Sequence, residues 1–133
     1  MGLIPNIEGG YYAESFRDEA QYDNRSVSSA IYYLLEGSAG RSRWHRLDAA
    51  EVWHYYAGAP LSLFLSFDNG TPTREKVLGS DVFYDKTPQV VVEPFEWQQA
   101  QSHGEWTLVG TTVAPAFTEE GFELAEPGWE PNT

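Results

Sequence analysis

Apolar and polar residues alternate along much of this chain. Leu61, Leu63, Leu65 and Phe67 fall on one face of a segment, with Ser62, Phe64 and Ser66 on the other. That two-residue period belongs to a half-buried β-strand. The same reasoning predicts strands over 30–35, 43–47, 51–57, 75–78, 88–93, 106–114 and 122–124, with Val90 and Val92 sharing one face, and a strand over 97–101 is expected to help line the cavity. Turn chemistry separates them. Glu36-Gly37-Ser38-Ala39-Gly40 ends one run, and Asp68-Asn69-Gly70 offers the positive-φ residues of a tight hairpin turn. Many short strands, few helical periods and Gly/Pro-rich connections predict an antiparallel all-β sandwich or barrel. No repeat or linker divides residues 1–133, which are expected to form a single domain. A tail over 126–133, with Pro127, Gly128 and Pro131, is expected to be irregular. The opening stretch to Arg17 is expected to add a strand to its own sheet or to a partner subunit.

The candidate chemistry follows from the same alternation. If 43–47 and 51–57 are paired strands, Arg43, His45 and Leu47 share one face, and Glu51, Trp53 and Tyr55 share a face of the next strand. A base and an acid then look across a hairpin into one cavity. His54 has the opposite parity to Glu51 and is expected to be structural. His103, beside Gly104 in a polar turn, is expected at the surface. No G-x-G-x-x-G, P-loop or G-x-S-x-G pattern occurs, which argues against the nucleotide and acyl-transfer machineries built on them.

Composition narrows the partners. With 8 Lys and Arg against 20 Asp and Glu in 133 residues, the formal charge is −12. Nucleic acid and anionic membrane are unsuited to such a surface. There is no cysteine, so disulfides and thiolate metal sites are excluded. Neither a signal peptide nor an apolar run approaching the roughly 20 residues of a membrane span is visible, and a cytoplasmic protein is expected. Aromatic residues make up 15% of the chain, which points to an aromatic-lined pocket or a subunit interface. A homodimer is expected, with residues 7–17 at or near its interface.

The spacing Glu51-x6-Gly58, preceded by His45, resembles the first motif of the cupin superfamily. Further segments resemble one small single-domain cupin family with no assigned reaction, sometimes labelled "predicted sugar epimerase". They are Glu8-Gly9-Gly10-Tyr11-Tyr12, Phe16-Arg17, Ser29 to Leu35, Trp44-His45-Arg46, Pro88 to Val92, Leu108-Val109-Gly110, Val113-Ala114-Pro115-x-Phe117 and Phe122-Glu123-Leu124. The resemblance implies a jelly-roll barrel, or double-stranded β-helix. Metal-binding cupins take two histidines and a glutamate from the first motif and a histidine from the second. Mapped here, those four positions are Arg43, His45, Glu51 and Gln99. The gap between His45 and Glu51 is one residue longer than usual. In the second motif Pro94 matches, but Glu96 stands in place of Gly and His103 in place of Asn. An arginine and an amide in place of two imidazoles leave a degenerate set, at His45, Glu51 and Gln99, and no confident metal or other cofactor.

The same positions suit an organic ligand. His45 is the candidate proton-transfer residue and Glu51 its carboxylate partner. Arg43 and Gln99 offer donors to a polar or anionic small molecule, and Trp53, Tyr55 and Tyr12 offer apolar walls. Arg43 and Glu51 forming a buried ion pair is the structural reading of the same residues. Two functions are carried forward: an isomerase or epimerase acting on a sugar derivative, and a small-molecule-binding module with no chemistry of its own. A metal-dependent oxygenase or isomerase is a third, weaker reading.

Overall fold

The structure is a computed structural model that describes residues 1–133. Its strands are β1 (Ile4–Pro5), β2 (Tyr11–Arg17), β3 (Gln21–Tyr22), β4 (Arg25–Ser26), β5 (Ser29–Glu36), β6 (His45–Leu47), β7 (Ala50–Gly58), β8 (Leu61–Ser66), β9 (Arg74–Leu78), β10 (Gln89–Val92), β11 (Trp97–Ser102), β12 (Trp106–Ala114) and β13 (Phe122–Leu124). Two single-turn 3-10 helices, Gly37–Ala39 and Val82–Tyr84, are the helical content. A six-stranded sheet runs β1-β2-β5-β12-β7-β10 and a five-stranded sheet runs β13-β6-β11-β8-β9. A small hairpin joins β3 to β4. The strands within both large sheets pair antiparallel. This is the antiparallel all-β sandwich that the alternation implied, in the jelly-roll form that the resemblance implied. The opening segment forms β1 and β2 at one edge of its own six-stranded sheet.

The inward faces of the two sheets meet in a dry cluster. Leu61, Leu63 and Leu65 of β8, Leu78 of β9, Leu35 of β5, Val90 and Val92 of β10 and Val109 of β12 are all buried there. The inward parity of β8 and β10 is the one read from the sequence.

Two connections differ from the sequence reading. Strands 43–47 and 51–57 do not pair: β6 lies between β11 and β13, whereas β7 lies between β12 and β10 in the other sheet. Asp48 and Ala49 carry the chain across the sandwich. A two-residue link serves a hairpin or a corner equally well, and alternation is blind to the choice. Here Arg25 holds the corner, its Nη2 2.8 Å from Asp48 Oδ1. Ala49 is buried beneath it with Leu47 and Val113. The β8–β9 hairpin is also looser than a two-residue turn, because β8 stops at Ser66 and β9 begins at Arg74. Asp68 and Gly70 do adopt positive φ (58° and 90°). Asn69 Oδ1 accepts from the Thr71 amide, an Asx-type bond that lengthens the loop instead of closing it.

Candidate functional site

One end of the sandwich interior is open. A cavity of about 720 Å³ lies between the sheets, roofed by the N-terminal segment at Pro5–Glu8 and by residues 117–119. Ser29, Ile31 and Tyr33 of β5, Glu51 and Trp53 of β7, Thr111 and Val113 of β12, and His45 and Leu47 of β6 form its walls. Of the residues singled out from sequence, the structure brings His45, Glu51, Trp53 and Tyr12 together at this cavity. His45 and Glu51 face each other across the sandwich from opposite sheets, not along a hairpin.

Arg43, Gln99 and Tyr55, expected as ligand contacts, lie outside the lining of this cavity. Arg43 lies just before β6, outside the alternation that orients His45. Its side chain turns to the C-terminal segment, where Nη2 donates to the Ala125 carbonyl. No Arg43–Glu51 ion pair forms. Gln99 pairs with Phe64 across β11–β8, while its neighbour Gln98 pairs with Leu65 and Ala100 with Leu63. Since Leu63 and Leu65 point inward, so do Gln98 and Ala100, and Gln99 faces out. The second-motif alignment is therefore one residue off the functional face. Tyr55 points inward but packs on the apolar cluster, with its hydroxyl donating to the Gly58 carbonyl at 2.5 Å. His54 faces the outer side of the sheet, with Nε2 3.1 Å from Thr112 Oγ1. His103 is exposed, as expected, and its Nε2 contacts Ser62 Oγ at 2.6 Å.

Gln98 links the two walls. Its amide donates to Glu51 Oε1 at 2.8 Å and its carbonyl accepts from Trp53 Nε1 at 2.9 Å. All three residues are buried, so the chain of bonds satisfies groups that would otherwise be costly to desolvate. Burial pushes the Glu51 carboxyl up from its ordinary value; the His45 ring and the Gln98 bond oppose that rise.

Besides Gln98, sequence reasoning missed the role of Glu8. Its side chain is 11% exposed, and Oε2 lies 3.4 Å from His45 Nε2. Burial raises its pKa to about 8, so at neutral pH it is mostly a protonated acid. The turn that delivers it is built from backbone: Asn6 N donates to the Gly10 carbonyl, and Arg43 N donates to the Glu8 carbonyl at 2.8 Å. Gly10 has φ +75°, and a Cβ there would sit 2.6 Å from the Leu34 carbonyl oxygen. That Gly9-Gly10 bend was the one local signal beside Glu8, and it says nothing about what the carboxyl meets. His45 Nδ1 is 3.2 Å from the Arg43 carbonyl. A carbonyl only accepts, so Nδ1 carries the proton and Nε2 presents its lone pair toward Glu8. Desolvation lowers the His45 pKa, which keeps the ring neutral. Tyr33, edge-on to Trp53 at 5.8 Å, donates to the Gly9 carbonyl at 2.8 Å. Its phenol is pushed well above the usual range by burial and by the nearby Glu8 and Glu51.

The donor set does not suit a tightly held metal ion. His45 Nε2 is a free imidazole donor, but Glu51 is bonded to Gln98, Arg43 and Gln99 lie outside the cavity lining, and no group of three or more His, Asp, Glu or Cys side chains is arranged to hold one. What the arrangement offers is a neutral imidazole base between two buried carboxyl groups, inside aromatic and aliphatic walls.

Two packed sheets open at one end, with a histidine and a glutamate from the first motif facing inward, define a cupin barrel. The chain belongs to the cupin superfamily, in the family described as "Cupin superfamily (DUF985)", whose model matches residues 1–125. It is 34% identical to a protein of known structure from Shewanella oneidensis, over 93% of this chain and 78% of that one, with a TM-score of 0.86. A hypothetical protein from Leishmania major is similar at 27% identity, over 91% and 80%, with a TM-score of 0.84. Oxalate decarboxylase from Bacillus subtilis shares the fold at 12% identity and a TM-score of 0.67, covering 90% of this chain and 29% of that one. No curated protein matches the chain. No helix is long and apolar enough to cross a membrane.

Proposed function

We propose that the cavity binds a small, neutral, polyhydroxylated molecule of the sugar class and that Glu8, His45 and Glu51 exchange protons with it, an isomerase or epimerase chemistry. The observation that carries this reading is the His45 Nε2 lone pair set 3.4 Å from a carboxyl group with a pKa of about 8. A base and an acid thus coexist unionised at neutral pH, the condition for bifunctional proton transfer. In the proposed step Nε2 takes the proton from a carbon beside a carbonyl, and the Glu8 carboxyl gives its proton to that carbonyl's oxygen. The enediol that results is neutral, and the imidazolium–carboxylate pair left behind is mutually attractive. Return of the protons on another carbon or the other face completes isomerisation or epimerisation. Glu51, opposite, stabilises the imidazolium.

The aromatic walls, Trp53, Tyr12 and Tyr33, suit the faces of a sugar ring, and Thr111 and Ser29 offer hydroxyl partners. Net charge argues for a neutral ligand. Arg17 is the one cation on the lining, and Glu14 already holds it at 2.7 Å. The anion preference that rested on Arg43 loses its basis with that residue turned away.

The test is hydrogen–deuterium exchange at carbon, followed by NMR, across a panel of aldoses and ketoses in deuterated buffer. Enzymic exchange that falls by roughly 10²–10⁴-fold in both His45→Gln and Glu8→Gln is the expected result, the span of general acid–base catalysis. A sugar that binds with no exchange at any carbon would make the protein a binding module. Exchange indifferent to both substitutions would sink the proton-transfer assignment.

A further inference from the structure

The Gly9-Gly10 pair is shaped around one side chain of β5. Tyr33 is 1% exposed, and its ring lies so close to Gly10 that a Cβ there would come within 2.9 Å of Cε1. Its hydroxyl reaches the other glycine and donates to the Gly9 carbonyl at 2.8 Å. A phenol has one proton, and a carbonyl only accepts. The Tyr33 proton is therefore committed to backbone, which sets this phenol apart from the carboxyls and the imidazole beside it.

What the bond holds is the tip of a hairpin. β1 and β2 pair at Ile4–Tyr12 and Pro5–Tyr11, at the edge of their sheet, and residues 6–10 form the loop between them. Asn6 gives that loop its shape. Its Oδ1 accepts from the Glu8 amide and its carbonyl from the Gly9 amide, each at 3.0 Å, while its own amide donates to the Gly10 carbonyl at 2.9 Å. All three bonds are internal to the loop, so they leave its place in the barrel open. Two further bonds set that place, one from each sheet. Arg43 N, just before β6, donates to the Glu8 carbonyl, and the Tyr33 hydroxyl donates to the Gly9 carbonyl. Arg43 also anchors the His45 ring through its own carbonyl. Tyr33 packs edge-on against Trp53 at 5.8 Å, and Trp53 Nε1 is bonded to Gln98. The tip that carries Glu8 is thus fastened on one side to the segment that orients His45. On the other side it is fastened to the buried chain of contacts that ends on Glu51.

We infer that Tyr33 is a positioning residue: through the Gly9 carbonyl it holds the Glu8 carboxyl against His45 Nε2, and it gives no proton to the ligand itself. The inference rests on the proton exchange proposed for that pair. With two fastenings the tip has a fixed angle. With one it turns about the bond between Arg43 and Glu8, and the 3.4 Å approach of Oε2 to Nε2 loosens. Reacting groups misplaced by about 1 Å lose roughly 100-fold in rate, so a hydroxyl that donates only to backbone still governs the reaction. The glycine at position 10 follows from the same need, since the Tyr33 ring can approach the tip only where no Cβ stands in its way.

Tyr33→Phe in the full chain, which removes the hydroxyl and keeps the ring, tests the inference. Followed by carboxyl NMR without any ligand, the Glu8 titration should fall from about 8 by roughly one pH unit or more, because a tip that swings free brings the carboxyl to water. Nitrogen NMR should show His45 still protonated at Nδ1, since the Arg43 carbonyl remains in place. Exchange at carbon, on an aldohexose or ketohexose that the wild type exchanges, should fall about 10–100-fold in kcat with KM changed less than about twofold. Tyr55→Phe is the matched control. It strips an equivalent phenol-to-carbonyl bond, at Gly58, and should leave the Glu8 titration as in the wild type. A folded Tyr33→Phe variant with an unchanged Glu8 titration overturns the inference. If that variant also loses exchange, Tyr33 is itself a proton donor. Should Tyr33→Phe fail to fold, the wild type decides: nuclear Overhauser contacts from the Tyr33 ring to Gly10 are expected, and a ring that makes none overturns the inference. A wild type that exchanges no sugar would remove the proposed reaction, while the titration would still show whether Tyr33 places Glu8.

Discussion

The two halves of the barrel interior are built from the same strands and differ in what those strands put inside. Along β5 the inward positions run Ser29, Ile31 and Tyr33 at the cavity and then Leu35 in the dry cluster. Along β12 they run Val113 and Thr111, then Val109. Trp53, only 2% exposed, belongs to both halves and separates them. The closed half is mainly apolar, with only the mutually bonded hydroxyls of Ser102 and Thr107 at its end, and contributes stability. The open half buries two carboxyl groups and an imidazole, a cost that only partners or neutralisation reduce. The contrast teaches that inward parity places a side chain between the sheets, whereas position along the strand decides whether it meets the apolar cluster or the open cavity.

Substitutions in the two halves should therefore separate. The largest effect is expected in the closed half. Leu63→Ala, at a fully buried position, should cost about 2–5 kcal/mol in denaturant unfolding, with proton exchange at carbon unchanged in the protein that remains folded. A loss of exchange without a loss of stability would erase the distinction between the halves.

At the boundary, Gln98→Leu strips the partner from both Trp53 Nε1 and Glu51 Oε1. Leaving such buried groups unpaired should cost about 1–3 kcal/mol. Unlike Leu63→Ala, it should also push the Glu51 carboxyl further up, since the Gln98 bond is one of the contributions holding it down. Carboxyl titration by NMR reads that shift.

The open half should show itself in pH dependence. Glu8 has its folded pKa raised from 4.5 to about 8. The folded protein then holds a proton that the unfolded chain has released, and stability falls as pH rises through that window. The lowered His45 pKa acts in the opposite sense, but only below its ordinary value of 6.5. Above pH 6.5 the raised carboxyls decide: Glu51 acts in the same sense as Glu8, and the Glu8 share should lower stability by up to about 1.4 kcal/mol per pH unit until pH 8. Glu8→Gln should flatten that slope. An unchanged slope would mean the carboxyl is ionised in the fold.

The smallest effect is expected at Arg43. Arg43→Ala removes the bond to the Ala125 carbonyl and should cost about 1 kcal/mol, with sugar affinity unaltered. A tenfold loss of affinity would return this arginine to the ligand.

Much of this was legible from the chain. Strand 106–114 and the final strand 122–124 fall where the alternation put them. His45, Glu51, Trp53 and Tyr12 were singled out by parity and motif, and they do converge. Gln98 was missed because β11 reads Trp-Gln-Gln-Ala-Gln-Ser, a run with no apolar period to set its phase. Its facing partners Leu63 and Leu65 on β8 set that phase across the sheet. Glu8 was missed because its role comes from a local turn closed at Gly10 and fastened to distant backbone at Arg43.

By itself the sequence determined which segments extend and which side chains share a face, because a strand's period is local to its own backbone. It also determined a strongly acidic, cysteine-free chain with a histidine and a glutamate of like orientation. Only the tertiary structure decided that β6 and β7 lie in opposite sheets and that Glu8 meets His45. It also decided that Arg43 and Gln99 leave the cavity to other residues. Sheet membership, register and the approach of a terminal turn are relations between segments far apart in the chain, and no local period encodes them.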